Sequence, residues 1–371
     1  MGSSDTNEAE PRVNAAMGTR SWDKKLALRW LIVAPASVAL GWLLNHWHVP
    51  AAWIVAAIIV SAAMALTTGE ELPINREFYA CARGFIGILA ALPITGIALG
   101  TLAGFVVPGL VVALVTIMVG VVGGVLLHRA QPAAVSQETG ILSMLPGGAS
   151  MMPMLADELG ADYRYVALTQ YLRLLAVSIT LPVVAGLLTS PHHASAQDAT
   201  HSTWWLVLVG VLVAAFGEKL GKLIHLPVAT VLGPMLLTVG ISLLLPDDLT
   251  MQPPEIFRVM AFLSIGWVCG GGLSVPALKS FSKQLPATIL FIVAVIGICA
   301  ATAWPLTLWL DITYFEAYLA TSPGALETVL ALSSEGGAGP AVVALQIIRL
   351  VLVLAVAGYL PQLIRLFQRR R

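Results

Sequence analysis

The stretch MLPGGASMMPML, residues 144–155, decides how the chain is read. Its flanks are apolar enough for a membrane helix, yet Pro146, Gly147 and Gly148 stand in the middle. Proline removes a backbone donor and clashes with the preceding turn, and glycine loosens what remains. A similar interruption, TSPGALETVLAL at 321–332, sets Pro323 and Gly324 into a second apolar run. Hydrophobic residues make up 58% of the 371 and charged residues 11%. Soluble domains average about half apolar and a quarter charged. The chain therefore reads as an all-α polytopic membrane protein.

Its formal net charge is zero, so no basic face is available to neutralise phosphates, and nucleic acid is not an expected partner. Cys81, Cys269 and Cys299 are isolated in apolar segments, with neither a disulfide framework nor zinc-ligand spacing. No cofactor is expected. Residues 1–24 are polar and read as a disordered tail.

A span needs about 20 apolar residues. Candidates lie near 27–44, 50–67, 77–95, 104–127 and 163–188, then near 204–217, 226–245, 256–275, 286–308 and 340–363. The connections at 45–49, 190–203, 246–254 and 309–315 hold no Lys or Arg, whereas Lys24, Arg76, Arg129, Lys219, Lys279 and the terminal RLFQRRR fall on the opposite side. Of the 20 basic residues, Arg173, Arg258 and Arg349 do not fit one side comfortably. The positive-inside rule then puts both termini in the cytoplasm of a bacterial inner-membrane, multi-pass protein. An odd number of crossings is required on each side of the loop at 190–203. Five per half works if both Pro-Gly segments enter the membrane and return on the same face, making them re-entrant.

The halves also resemble each other. HVPAA at 48–52 and HLPVA at 225–229 are 177 residues apart, as are Pro146-Gly147 and Pro323-Gly324. QYLRLL (170–175) and QIIRLV (346–351) are offset by 176, which implies one indel between. Duplicated units that each cross an odd number of times have opposite orientations. The expected architecture is about ten transmembrane helices in two inverted five-helix repeats, 25–189 and 204–366. A periplasmic linker, 190–203, joins them, and 367–371 form a basic cytoplasmic tail.

The pattern of Pro-Gly, then Gly-Ala-Asp (160–162), then Gln-x-x-Arg in a final helix, present twice, resembles the bacterial membrane AbrB family. That family has this duplicated domain, and some of its members carry an ammonia monooxygenase label. The resemblance covers roughly residues 27–365. It implies an integral inner-membrane protein, a family label of gene regulation, and a fold related to inverted-repeat secondary transporters. The second copy departs from the pattern: EGGAGP at 335–340 stands where the first has LGADYR, and Ala325 replaces a glycine.

Irregular backbone at membrane depth is tolerated where protein or a water-filled cavity surrounds it. Two such segments meeting near the midplane would expose amides and helix ends to a solute or ion. The other reading is that Pro146 and Pro323 kink continuous helices. Ser150, Ser322 and Thr321 offer hydroxyls at these points. Arg173 and Arg349 lie roughly 15 Å into their helices, close to mid-bilayer, and Gln170 and Gln346 stand one turn before them. Each arginine either recognises a carboxylate-like solute or caps carbonyls of a broken segment. Glu327, four residues after Pro323, is the natural acid to pair with a mid-membrane arginine or to carry a coupling proton. Asp157, Glu158 and Asp162 read as a solvated loop. His46, His48, His192, His193 and His201 share the expected outer face and would offer copper ligands, but His48 has its repeat counterpart His225 on the opposite face, and the 190–203 loop is a poor frame for holding a metal.

The sequence therefore points to a non-enzymatic, secondary-transporter-like protein that moves a small solute, an organic anion, by alternating access. Its substrate-binding candidates are Pro146, Gly147, Gly148, Ser150, Gln170, Arg173, Ser322, Pro323, Gly324, Gln346 and Arg349. The expected partners are the bilayer and the solute, with a homodimer as a further candidate assembly. The alternatives are a membrane-embedded sensor acting through a cytoplasmic partner and a metal-dependent monooxygenase.

Overall fold

The computed structural model describes residues 24–47, 49, 51–132, 135–146, 151–188, 204–226, 228–246, 249–273 and 285–368. The tail ahead of residue 24, the linker at 190–203 and the candidate residues Gly147, Gly148 and Ser150 lie outside them. So do His48, His192, His193 and His201; His46 is described and stacks on Trp42 at 5.9 Å.

Among the described residues every regular element is a helix. In chain order they are α1 (Lys24–His46), α2 (Ala52–Thr68), α3 (Arg76–Ala91), α4 (Leu99–Gly104), α5 (Val106–Ala130), α6 (Gln137–Met144), α7 (Met151–Glu158) and α8 (Tyr163–Leu188). Then follow α9 (Trp204–Leu223), α10 (Ala229–Ser242), α11 (Glu255–Gly271), α12 (Leu285–Leu310), α13 (Tyr314–Thr321), α14 (Leu326–Glu335) and α15 (Pro340–Gln368). Among the described residues four stretches are long and apolar enough to cross a membrane: Lys24–His46, Gly100–Ala130, Tyr165–Val184 and Ile289–Leu310. Ala52–Thr68, Ala229–Ser242 and Pro340–Val356 are shorter apolar helices. Large side chains such as Leu31 (71%) and Leu290 (72%) are exposed on these helices, as a lipid-facing surface requires.

The helices pack in two groups. In the first, α2 packs on α1 and α11, and α3 packs on α9 and α10. In the second, α5 packs on α6, α12 and α15, and the short helices α6, α7, α13 and α14 lie against α8 and α15. The two groups meet chiefly where α14 rests on α3.

Both Pro-Gly stretches end a helix and begin another. Ser136 caps α6 through the amide of Thr139 (3.1 Å), and Thr313 caps α13 through the amide of Glu316 (3.2 Å). The helices stop at Met144 and Thr321, directly ahead of the prolines, and resume at Met151 and Leu326. Residues before proline are driven out of the helical region, and Ser322 is accordingly extended, φ −61° and ψ 136°. In the second copy this excludes a merely kinked helix at Pro323.

Hydrogen bonds repeat between the copies at an offset of 177. Leu145 N–H donates to Ile141 O (3.0 Å) and Ser322 N–H to Tyr318 O (2.9 Å). At the far ends, Ala161 N–H donates to Ala156 O (2.8 Å) and Ala338 N–H to Ser333 O (2.9 Å). These are Schellman-type closures, and each needs a left-handed residue. Gly160 (φ +67°) and Gly337 (φ +64°) supply it. The copies therefore align as ELGADY (158–163) on EGGAGP (335–340), one residue away from the pairing of LGADYR with EGGAGP. The change to an offset of 176 falls later, inside α8 and α15. Backbone geometry rather than side-chain identity sets this register.

The first broken segment is held very closely to its long helix. A Cβ on Gly140 would lie 2.4 Å from the carbonyl oxygen of Gly124. α5 and α6 touch backbone to backbone there.

Candidate functional site

A helix leaves its last four carbonyls without intrahelical partners. α6 and α13 are eight residues each, so half of each helix faces that problem in a buried place. The Gln-x-x-Arg pairs of α8 and α15 solve it. Gln170 Nε2 donates to Leu142 O (2.7 Å) and Leu145 O (2.9 Å), and Arg173 Nη1 donates to Leu145 O (2.8 Å). Gln346 Nε2 donates to Leu319 O (2.6 Å) and Ser322 O (3.3 Å), and Arg349 Nη1 donates to Ser322 O. Of the two readings of the arginines, the geometry supplies the one in which they cap carbonyls of the broken segments. Both are buried, and their charges lie near enough to interact.

The copies differ in one respect. Arg349 Nη2 donates to Gln346 Oε1 (2.6 Å), whereas Arg173 Nε and Gln170 Oε1 are buried without a partner. These unpaired groups border the first break. In the second break the hydroxyls are already engaged: Thr321 Oγ1 donates to Cys299 O (3.1 Å) and Ser322 Oγ to Leu319 O (3.1 Å).

Glu327 does not pair with Arg173 or Arg349. Its partner is Arg83 on α3, with Nη2 2.5 Å from Oε1. The bridge joins the two helix groups just beyond the second break. The Arg83 guanidinium stands 5.3 Å from the centroid of the Tyr79 ring, and its Nε is buried without a partner. Nearby, the Ser178 and Thr328 hydroxyls are 3.4 Å apart. Arg83 thus joins Arg173 and Arg349 among the basic residues set deep in apolar helices. Sequence reading did not single it out, since only Arg173, Arg258 and Arg349 stood apart from the basic residues of one side. The signal available was its distance from Arg76, nearly two turns along the same helix.

A second link joins the groups. The amide of Ala51 donates to Glu335 Oε1 (2.9 Å), while Oε2 is buried without a partner. Burial pushes the Glu335 carboxyl up to about 7, against the opposing effects of the Ala51 amide and the Arg258 charge. Asp162 lies exposed in a loop, as expected, and there it caps the amide of Tyr165 (3.0 Å), while its own amide donates to Thr139 Oγ1 (3.0 Å).

Two interrupted helical segments with their ends held by Gln-x-x-Arg thus stand among described helices of which four are long and apolar enough to cross a membrane. Comparison with known proteins places the chain further. The family model described as "Transition state regulatory protein AbrB" matches residues 53–368, and the chain belongs to the AbrB family. An Escherichia coli protein named "Putative regulator AbrB" is 31% identical over 350 residues, covering 93% of this chain and 99% of the relative. A Bacillus subtilis protein named "Uncharacterized protein YhjN" is 25% identical over 370 residues, covering 91% and 92%.

Proposed function

We propose that the chain is a secondary transporter of the bacterial inner membrane, moving a small organic anion by alternating access between its two helix groups. The observation that supports this most is the paired break, made twice with the same hydrogen bonds and tied down by Gln-x-x-Arg. Interrupted helices near the midplane are how inverted-repeat carriers expose backbone groups to a solute. In this reading the repeats are inverted, both termini are cytoplasmic, and the segments around Pro146–Ser150 and Ser322–Gly324 enter from opposite faces. Gln170, Arg173, Gln346 and Arg349 keep the broken ends open toward the solute.

Cysteine accessibility tests the arrangement. In a cysteine-free background, Ser150→Cys is expected to react with a membrane-impermeant thiol reagent from the cytoplasm and Ser322→Cys from the periplasm. Access of both from one face would overturn opposed re-entrant segments and remove the carrier's main support.

The relative named as a regulator favours a second reading, a membrane sensor that binds a metabolite and signals through a cytoplasmic partner. Purified protein in liposomes separates the two. A carrier moves solute across the bilayer, and a sensor binds it without flux.

A further inference from the structure

We propose that Arg83 and Glu327 form an exchangeable ion pair: a small monocarboxylate takes the place of Glu327 on the Arg83 guanidinium, and Glu327 accepts one proton as it leaves. The proposal rests on the carrier reading and supplies its substrate class and its coupling.

Position comes first. Arg83 belongs to the group of α1–α3 and α9–α11, and Glu327 opens α14 in the group of broken helices. The pair therefore lies at the boundary that alternating access would open. Glu327 has no acidic counterpart in the first copy, where Ser150 stands 177 residues earlier. Among the described residues the pair occurs once.

Access and spare donors come next. The side chains of Arg83 and Glu327 remain 16% and 15% exposed, whereas Arg173 as a residue is 2% exposed and Arg349 6%. Arg173 and Arg349 also spend donors on carbonyls of the breaks. Arg83 spends Nη2 on Glu327 and keeps a buried Nε unpartnered. A guanidinium that meets its acid through one nitrogen and keeps Nε free has donors left for another carboxylate. Tyr79 holds it by ring contact without consuming an N–H.

Charge balance then dictates the proton. Breaking a buried ion pair by removing one partner is strongly unfavourable, because a naked charge remains. If the incoming anion neutralises Arg83, the released Glu327 must become neutral too. One carboxylate and one proton enter, and the site's net charge is unchanged. The titratable groups within electrostatic reach of Glu327 are Arg83 and Tyr79 on α3 and Cys269 on α11. A second acid, Glu218 on α9, acts on Arg83 as well, and its carboxylate is already paired with Lys222.

The test uses the purified full-length chain in detergent, with acetate, lactate and benzoate as probes and a pH-indicator dye in weak buffer. At least one probe is expected to bind with uptake of one proton per bound anion. Glu327→Gln should bind the same probe with no proton uptake, and Arg83→Gln should bind at least about tenfold more weakly. If Arg83→Gln alone does not fold, the charge-neutral Arg83→Gln/Glu327→Gln variant should fold and show the same loss. Failure of all three probes to bind, binding without proton uptake, or binding unchanged on loss of Arg83 would each overturn the proposal. The readout requires no flux. Binding with proton uptake but no movement into liposomes sinks the carrier and leaves the pair, whereas flux that survives Arg83→Gln sinks the pair and leaves the carrier.

Discussion

Gly160 and Gly337 stand 177 residues apart and hold the same left-handed backbone, φ +67° and +64°, each closing the helix that follows a Pro-Gly break. The next residue in each case returns its amide to a carbonyl five positions earlier. A side chain in this conformation costs about 1–2 kcal/mol. Gly160→Ala and Gly337→Ala should therefore each lower stability by that amount, and by similar amounts. Neither glycine has a neighbour close enough to meet an added Cβ, so strain alone is measured. Denaturation in detergent would report it, and a loss at only one site would sink the equivalence.

Gln346 and Arg349 give a sharper contrast. If they hold carbonyls of α13, Gln346→Leu and Arg349→Met should each destabilise the fold by about 2–4 kcal/mol, since buried carbonyls would lose their donors. If their work were solute recognition alone, thermal stability in the absence of solute would be unchanged. A thermal-shift series in detergent decides between the two.

Much of this arrangement was legible in the chain. Proline followed directly by glycine is a strong helix breaker, whereas Pro35, Pro182, Pro234 and Pro305 stay inside helices, so the breaks at 144–155 and 321–332 stood out, and their common offset pointed to a duplication. The local offset around Gly160 was less visible, because a Schellman closure demands a backbone conformation and leaves Leu, Asp and Tyr free to change. The Arg83–Glu327 bridge was half legible. Glu327 announced itself as an acid in an apolar run, but its partner lies 244 positions earlier on a helix whose first turn already carries Arg76. No local pattern encodes a contact between distant helices. The Gln-x-x-Arg spacing was readable, and its carbonyl targets became definite only once the breaks were placed against α8 and α15.

A double-mutant cycle measures the Arg83–Glu327 bridge as a structural contact. Arg83→Gln and Glu327→Gln should each cost about 3–5 kcal/mol, because each leaves an uncompensated buried charge. The double variant should cost less than the sum of the singles. Additive losses, read by denaturation, would mean the two side chains do not interact.

Glu335 predicts a pH dependence of known sign. Its folded carboxyl lies at about 7 against an ordinary value of 4.5, so the folded chain binds more protons between those values. The associated stability is fully present below pH 4.5 and is lost as pH rises through about 7. At about 1.4 kcal/mol per unit the loss amounts to at most roughly 3 kcal/mol. Glu335→Gln should flatten this part of the profile while leaving the Ala51 amide an acceptor. A slope that persists in the variant would assign the titration elsewhere.

The contact of Gly124 with Gly140 has a mechanical consequence. Where two backbones touch without side chains between them, neither can slide without a collision, so α5 and α6 are bound to travel as one piece. The boundary between α3 and α14 is built differently, from long side chains that can re-aim without moving a helix axis. Such welded seams lie inside each helix group, at Gly124–Gly140 in one and at Gly217–Gly233 in the other, whereas Arg83 and Glu327 meet across the boundary between the groups.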